Sequence, residues 1–195
     1  METIKRFNTE TIKKSRRKIK NGDVFVVKLK NHKLYFYGKV IDEKAKFNDL
    51  VETILIFLYK TPTTEIVIPE EMNENDIMTA LLIDQYGWKC GHFHTICNLP
   101  VKETERNADY GFISPAHGEW ISEEEIESYS QNHEIRYLDD GRVLACAYVD
   151  AYNNILDHKP SILSQYTLAL YRAVSWEISK YLHENPLIKQ KYELE

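Results

Sequence analysis

Cys90, His92, His94, Cys97 and His117 form the one grouping in the chain whose residue types suit a metal ion. Side chains on a strand alternate between its faces, so an unbroken strand from Trp88 to Ile96 projects positions 90, 92 and 94 from one side at two-residue steps. A thiolate with two imidazoles is a chemically suitable zinc set. Cys97 lies seven residues beyond Cys90 and faces away, which leaves His117 or water as the fourth ligand. The competing reading is a strand with two histidines on its exposed side and small buried cysteines. Neither a C-x-x-C nor an H-E-x-x-H spacing supports the metal, so that second reading is preferred and no cofactor is expected.

Nucleophilic catalysis has less to stand on. The chain has no G-x-S-x-G and no glycine-rich phosphate loop, and seven glycines leave few turns that could wrap a phosphate. Ser15 and Lys18 match S-x-x-K by spelling alone, in a basic segment that offers no pocket. No catalytic residue is expected, and the protein is read as a non-enzyme.

Acidic residues are the remaining unusual feature. Glu119, Glu123, Glu124, Glu125 and Glu127 occur with no basic residue between them, and Trp120 stands among them. The ordinary reading is a solvated helix face, since acids suit a helix start. The functional reading is an anionic patch of Glu119, Glu123, Glu124 and Glu127 with Trp120 as aromatic anchor, able to dock on a basic partner. Charge is also uneven along the chain. Residues 1–20 carry eight Lys or Arg against Glu2 and Glu10, a net of +6, so the rest carries -11 to reach the total of -5. Summed charge of this kind argues about partners and not about fold.

These residues must be positioned by a core, and 195 residues suffice for one. A single domain over 21–195 is expected, preceded by a basic arm or short helix over 1–20. Hydrophobic residues at 43% and charged residues at 28% exclude disorder. No apolar run approaches the ~20 residues that span a bilayer, and the basic N-terminus has no apolar core behind it. Three cysteines without framework spacing point to reduced thiols and the cytoplasm.

Residues 22–41 read as a β-hairpin whose two faces are both apolar. Phe25, Val27, Leu29, Leu34, Phe36 and Val40 are opposed to Val24, Val26, Tyr35, Tyr37 and Ile41, with Gly38 marking a bulge or a close backbone approach. A loop is expected over Glu43 to Asp49, strands at 51–59 and 65–68, and strand or helix at 77–86, ended by Gly87. Further strands are expected at 88–99, at 110–113 up to the break at Ser114-Pro115, and at 142–149, the last of the chain. Ser122 with Glu125 forms a capping box that starts a helix. Leu163, Tyr166, Leu170, Val174, Ile178 and Tyr181 recur at spacings of three and four, which predicts a long final helix over Ser161 to Glu184. The fold class is then α+β: a bent or barrel-like, mostly antiparallel sheet covered by that helix.

Gly22-Asp23-Val24-Phe25, the aliphatic strand that follows, Tyr37-Gly38-Lys39-Val40 and Trp88-Lys89-x-Gly91-x-Phe93 together resemble the immunity protein 26 family of bacterial polymorphic toxin systems. The likeness covers Asn21 to Phe112. It implies a cytoplasmic protein that binds and neutralises a cognate toxin, carries no catalytic residue, and uses these glycines and aromatics to form the fold. A nuclease, with a cationic cleft, is the kind of toxin that an acidic surface would occlude. Two alternatives stand beside it: a nucleic-acid-binding β module using the basic arm, and a zinc protein using Cys90, His92 and His94. Neither nucleic acid nor membrane is the expected partner.

Overall fold

In the computed structural model, which describes residues 4–47 and 51–194, strand β1 (Thr9–Glu10) lies against one end of β2 (Asp23–Leu29), and β2 forms a hairpin with β3 (Tyr35–Phe47). Val26 faces Tyr37 and Val27 faces Phe36 across the ladder, and Asn31 turns the chain in the left-handed region at φ 67°. The two faces separate as their alternation requires. Phe25, Val27, Leu29, Leu34, Phe36 and Val40 enter one core, and Val24, Val26, Tyr37 and Ile41 enter another. Gly38 marks a close approach: a Cβ there would lie 2.3 Å from Cζ of the buried Phe25 ring. Gly38→Ala should therefore lower stability by about 1–3 kcal/mol, the cost of overpacking a filled core. A denaturant midpoint equal to that of the wild type would contradict this.

The chain continues through β4 (Val51–Tyr59), β5 (Ile77–Ile83), α1 (Tyr86–Cys90), β6 (Phe93–Asn98), α2 (Glu103–Arg106) and β7 (Tyr110–Ile121). Then come α3 (Ile126–Tyr129), β8 (His133–Tyr137), β9 (Val143–Val149), β10 (Ile162–Gln165), β11 (Leu168–Ala169), α4 (Tyr171–Glu184) and α5 (Pro186–Lys191). Two curled sheets result. The first has the order β1-β2-β3-β4-β5-β11 with β6 also on β2, and the second has the order β10-β7-β9-β8. Pairing is antiparallel except at β10 with β7 and β11 with β5. Strands hold 40% of the residues and helices 21%, so the protein is mostly β.

One face of the first sheet is sealed by Val174, Ile178 and Leu182 of α4, by Trp88 of α1, and by Phe7, Ile19 and Leu194 from the two ends of the chain. The other face packs on Phe112 and Val149 of the second sheet and on Tyr166. Each large side chain fully buried there contributes about 1.5–3 kcal/mol. No helix among the described residues is long and apolar enough to cross a membrane.

Several expectations are corrected. Residues 161–169 are not helical: β10 joins the second sheet and β11 the first, so the final helix begins at Tyr171 and is 14 residues long, followed by the separate α5. Strand 142–149 is accordingly not the last. The supposed loop from Glu43 continues β3 as far as Phe47, past register shifts after Val40 and Asp42. Its remaining residues, 48 and 49, lie outside the described residues. Residues 65–68 pair with no strand, and β7 runs through Pro115 to Ile121. Pro115 is tolerated because the ladder is interrupted between Ser114 and Glu119, where no N–H is required of it. Gly87 lies within α1 and does not end β5. Residues 4–20 hold no helix and run as a strap. Phe7 N–H donates to Ser179 Oγ at 2.8 Å, Ile12 N–H to the Gly91 carbonyl at 2.7 Å and Ser15 N–H to the Trp88 carbonyl at 2.9 Å.

Candidate functional site

The acidic stretch is built on the end of β7. Glu119, Trp120 and Ile121 pair with Ala145, Leu144 and Val143, and adjacent strand residues face opposite sides, so Glu119 and Trp120 project away from each other. Trp120 is 56% exposed, and the Arg142 guanidinium lies over its ring at 4.4 Å while also pairing with Asp140 at 2.7 Å. At Ser122 the chain enters a 3-10 turn, Glu123–Glu125, that leads into α3. Ser122 donates its N–H and its hydroxyl to the Glu125 carboxylate, both at 2.8 Å. Those bonds, the backbone one first, hold the Glu125 carboxyl below the usual range.

Glu119 accepts from the Tyr129 hydroxyl at 2.6 Å, which raises the phenol's pKa and fixes the carboxylate. Glu123, Glu124 and Glu127 are exposed and form no ion pair among the described residues. The anionic character extends further than these five positions. Between Arg106 and Arg136 the chain carries seven carboxylates and no Lys or Arg. Glu123, Glu124 and Glu125 share one exposed turn, with Glu127 next on α3 and Glu119 on β7, where Trp120 has its own cation and does not share a face with Glu119.

The metal candidates are not gathered. Cys90 ends α1, and β6 starts only at Phe93, so the unbroken strand that would align positions 90, 92 and 94 does not form. Gly91 breaks it by closing α1 in the left-handed region at φ 85°, where an added Cβ would lie 2.8 Å from the Lys14 nitrogen. His92 instead accepts or donates at Nδ1 with Thr9 Oγ1, 2.9 Å away, and stacks on Tyr171 with ring centroids 4.3 Å apart. His94 sits on β6 opposite Val26, and Cys97 lies beyond a register shift on the same strand. His117 is on β7, with Nδ1 2.9 Å from the buried Ser114 hydroxyl and Nε2 3.4 Å from Asn153 Nδ2. Among the described residues no three His, Cys, Asp or Glu side chains are grouped to hold a metal.

The short motifs near the hairpin hold the scaffold. Phe25, Trp88 and Phe93 pack as a triangle with centroids 5.0–5.1 Å apart. Asp23 is buried at the start of β2, where it pairs with Arg17 and accepts from Lys20 N–H at 3.1 Å and Asn98 Nδ2 at 3.0 Å. Lys39 is a buried cation that sequence reasoning missed. Its ammonium donates to Glu105 Oε2 at 2.6 Å and to the Pro100 carbonyl at 3.0 Å. Tyr59 donates to the other Glu105 oxygen at 2.9 Å, and the Lys102 N–H donates to Oε2 at 2.9 Å. Burial and then the Glu105 charge push the Tyr59 phenol far up, so it stays a donor. A single Lys within the otherwise apolar run 34–41 was the signal that could have revealed it.

Comparison with known proteins gives one result for this scaffold. A family model described as immunity protein 26 matches residues 20–119, from the end of the strap to the interruption in β7. No characterised protein and no solved structure matches the chain. The matched span exceeds half of the 195 residues and holds Asp23, Gly38, Lys39, Trp88, Gly91 and Phe93, so the chain belongs to the immunity protein 26 family.

Proposed function

We propose that this protein neutralises a cognate toxin in the cytoplasm of the producing bacterium by covering the toxin's active cleft, without turning over a substrate. Membership of an immunity family supports a toxin as partner. One observation supports the site and the toxin's chemistry: Glu119, Glu123, Glu124 and Glu127 are exposed carboxylates without ion pairs among the described residues, in a stretch free of Lys and Arg. Such a surface complements a cationic cleft, of the kind a nuclease uses to hold phosphates. Exposed charges chiefly speed the encounter, and buried contacts slow release.

The association rate with the toxin encoded beside this gene, followed by stopped-flow fluorescence across a salt series, tests the electrostatic part. A steep fall in rate as the Debye length shrinks from ~30 Å at 0.01 M to ~8 Å at 0.15 M is expected. A rate indifferent to salt would exclude charge as the steering force.

A further inference from the structure

Residues 65–68 have the composition of a strand, yet the chain bends at Glu65 and no strand pairs with Ile66, Val67 or Ile68. The Tyr37 hydroxyl holds them. It accepts from Val67 N–H at 2.9 Å and donates toward the Val67 carbonyl at 3.0 Å, with the Glu65 carbonyl 3.4 Å away. The N–H and C=O of Val67 thus lie on one side of the chain, as they do in extended backbone, and Pro69 restrains Ile68 to the extended region. Where Val67 points both its polar groups at Tyr37, its neighbours point theirs away. The N–H and C=O groups of Ile66 and Ile68 have no partner among the described residues. Their side chains are open as well: Ile66 is 40% exposed, Val67 55% and Ile68 63%. An unpaired edge beside a contiguous apolar patch is a template for another strand.

The surroundings indicate what kind of strand. Glu65, Glu70, Glu71, Glu74 and Asp76 flank the edge with no Lys or Arg among residues 65–76. Beside it lies a cavity of about 340 Å³ lined by Tyr37, Tyr59, Val67, Met72, Glu71 and Asp76. Aromatic and aliphatic walls with two carboxylates fit the stem and head of a Lys or Arg. Glu71 is engaged by the exposed Lys102, whereas the Asp76 carboxylate forms no ion pair among the described residues. A second copy of this chain would bring the same acids against each other, which disfavours it as the occupant.

We propose that this edge receives an extended, basic segment of the cognate toxin by strand addition, with one Lys or Arg side chain in the cavity. The proposal rests on the toxin-binding reading and adds an apolar, backbone-mediated contact to the charged one. Its test uses two probes with the full chain: the toxin encoded beside the gene, and a synthetic ten-residue peptide of alternating Val and Lys. Residue-resolved hydrogen exchange should show the Ile66 and Ile68 amides slowed about tenfold by either probe, the weight of one hydrogen bond, with the Val67 amide unchanged. Ile66→Pro deletes an outward N–H while leaving the Val67 bonds to Tyr37, and should weaken both probes by about tenfold. Ile66→Lys with Ile68→Lys should weaken them further.

Toxin binding that is equal in wild type and both variants would overturn this proposal and leave the toxin reading intact. If the toxin does not bind wild type at all, the toxin reading fails, and with it the toxin as occupant of the edge. Peptide binding that is absent, or unaffected by Ile66→Pro, overturns strand addition itself. Concentration-dependent self-association that the variants abolish would assign the edge to a second copy and overturn the toxin as occupant.

Discussion

Lys39→Met will melt about 6–20 °C below the wild type, a loss of about 3–5 kcal/mol at roughly 2–4 °C per kcal/mol for a chain of this size. Lys39 is 1% exposed and Glu105 0%, so neither charge has water to fall back on. Removing the ammonium leaves the Glu105 carboxylate with only the Tyr59 hydroxyl and the Lys102 N–H as donors. Uncompensated buried charge is among the few single changes that cost a large fraction of a domain's total stability of about 5–15 kcal/mol. The pair also ties α2 to β3, residues 66 apart in sequence, so its loss should loosen the 99–108 connection first. Lys39→Met combined with Glu105→Gln should recover much of the loss, because Gln keeps an acceptor for Tyr59 and no net charge remains buried. Calorimetry of the two single variants and the double variant decides it. A Lys39→Met loss under about 1 kcal/mol would show that the ion pair is hydrated and does not hold the fold.

The triple variant Glu123→Lys, Glu124→Lys and Glu127→Lys should associate with the toxin about 10- to 10³-fold more slowly at low salt, with little change in dissociation. The three substitutions shift the net charge by +6, from -5 to +1, and place cations where acids now stand unpaired. All three positions are exposed, so folding should survive with only a few tenths of a kcal/mol lost per site from the helix start. A circular dichroism melt establishes that, and biosensor kinetics read the rates. An unchanged association rate in a folded triple variant would remove this turn from the interface.

The hairpin was legible because each of its faces fills a separate core, so apolar residues recur on both faces of 24–29 and 34–41, with Lys28 and Lys39 as the polar exceptions within the strands. The buried stripe of α4, Val174, Ile178 and Leu182, was legible for the analogous reason at helical spacing. Its start was not. Leu163, Tyr166 and Leu170 fall at three- and four-residue steps by coincidence, whereas the contacts that decide their structure are distant: Leu163 pairs with Gly111, and Ser164 bonds to Thr79 at 2.5 Å. Residues 4–20 carry no periodic signal, because the strap buries only Phe7 and Ile19 in the core and is otherwise held by scattered contacts: β1 on β2, Arg17 with Asp23, Thr9 with His92, the Phe7 N–H on Ser179 of α4, and backbone bonds to the end of α1.

Residues 65–68 failed in the opposite sense, since their propensity for a strand is real and Tyr37 takes the place of a neighbouring ladder. The acids at 119–127 could be picked out from composition, because exposure needs no partner. What composition could not supply was the cation over Trp120, contributed by Arg142 from the turn before β9.

Co-expression in a toxin-sensitive bacterium tests the central claim most directly. The toxin encoded beside this gene should arrest growth when produced alone, and cells that also make this chain should grow at the rate of toxin-free controls. Continued arrest in cells shown to contain the folded chain and the active toxin would contradict the account.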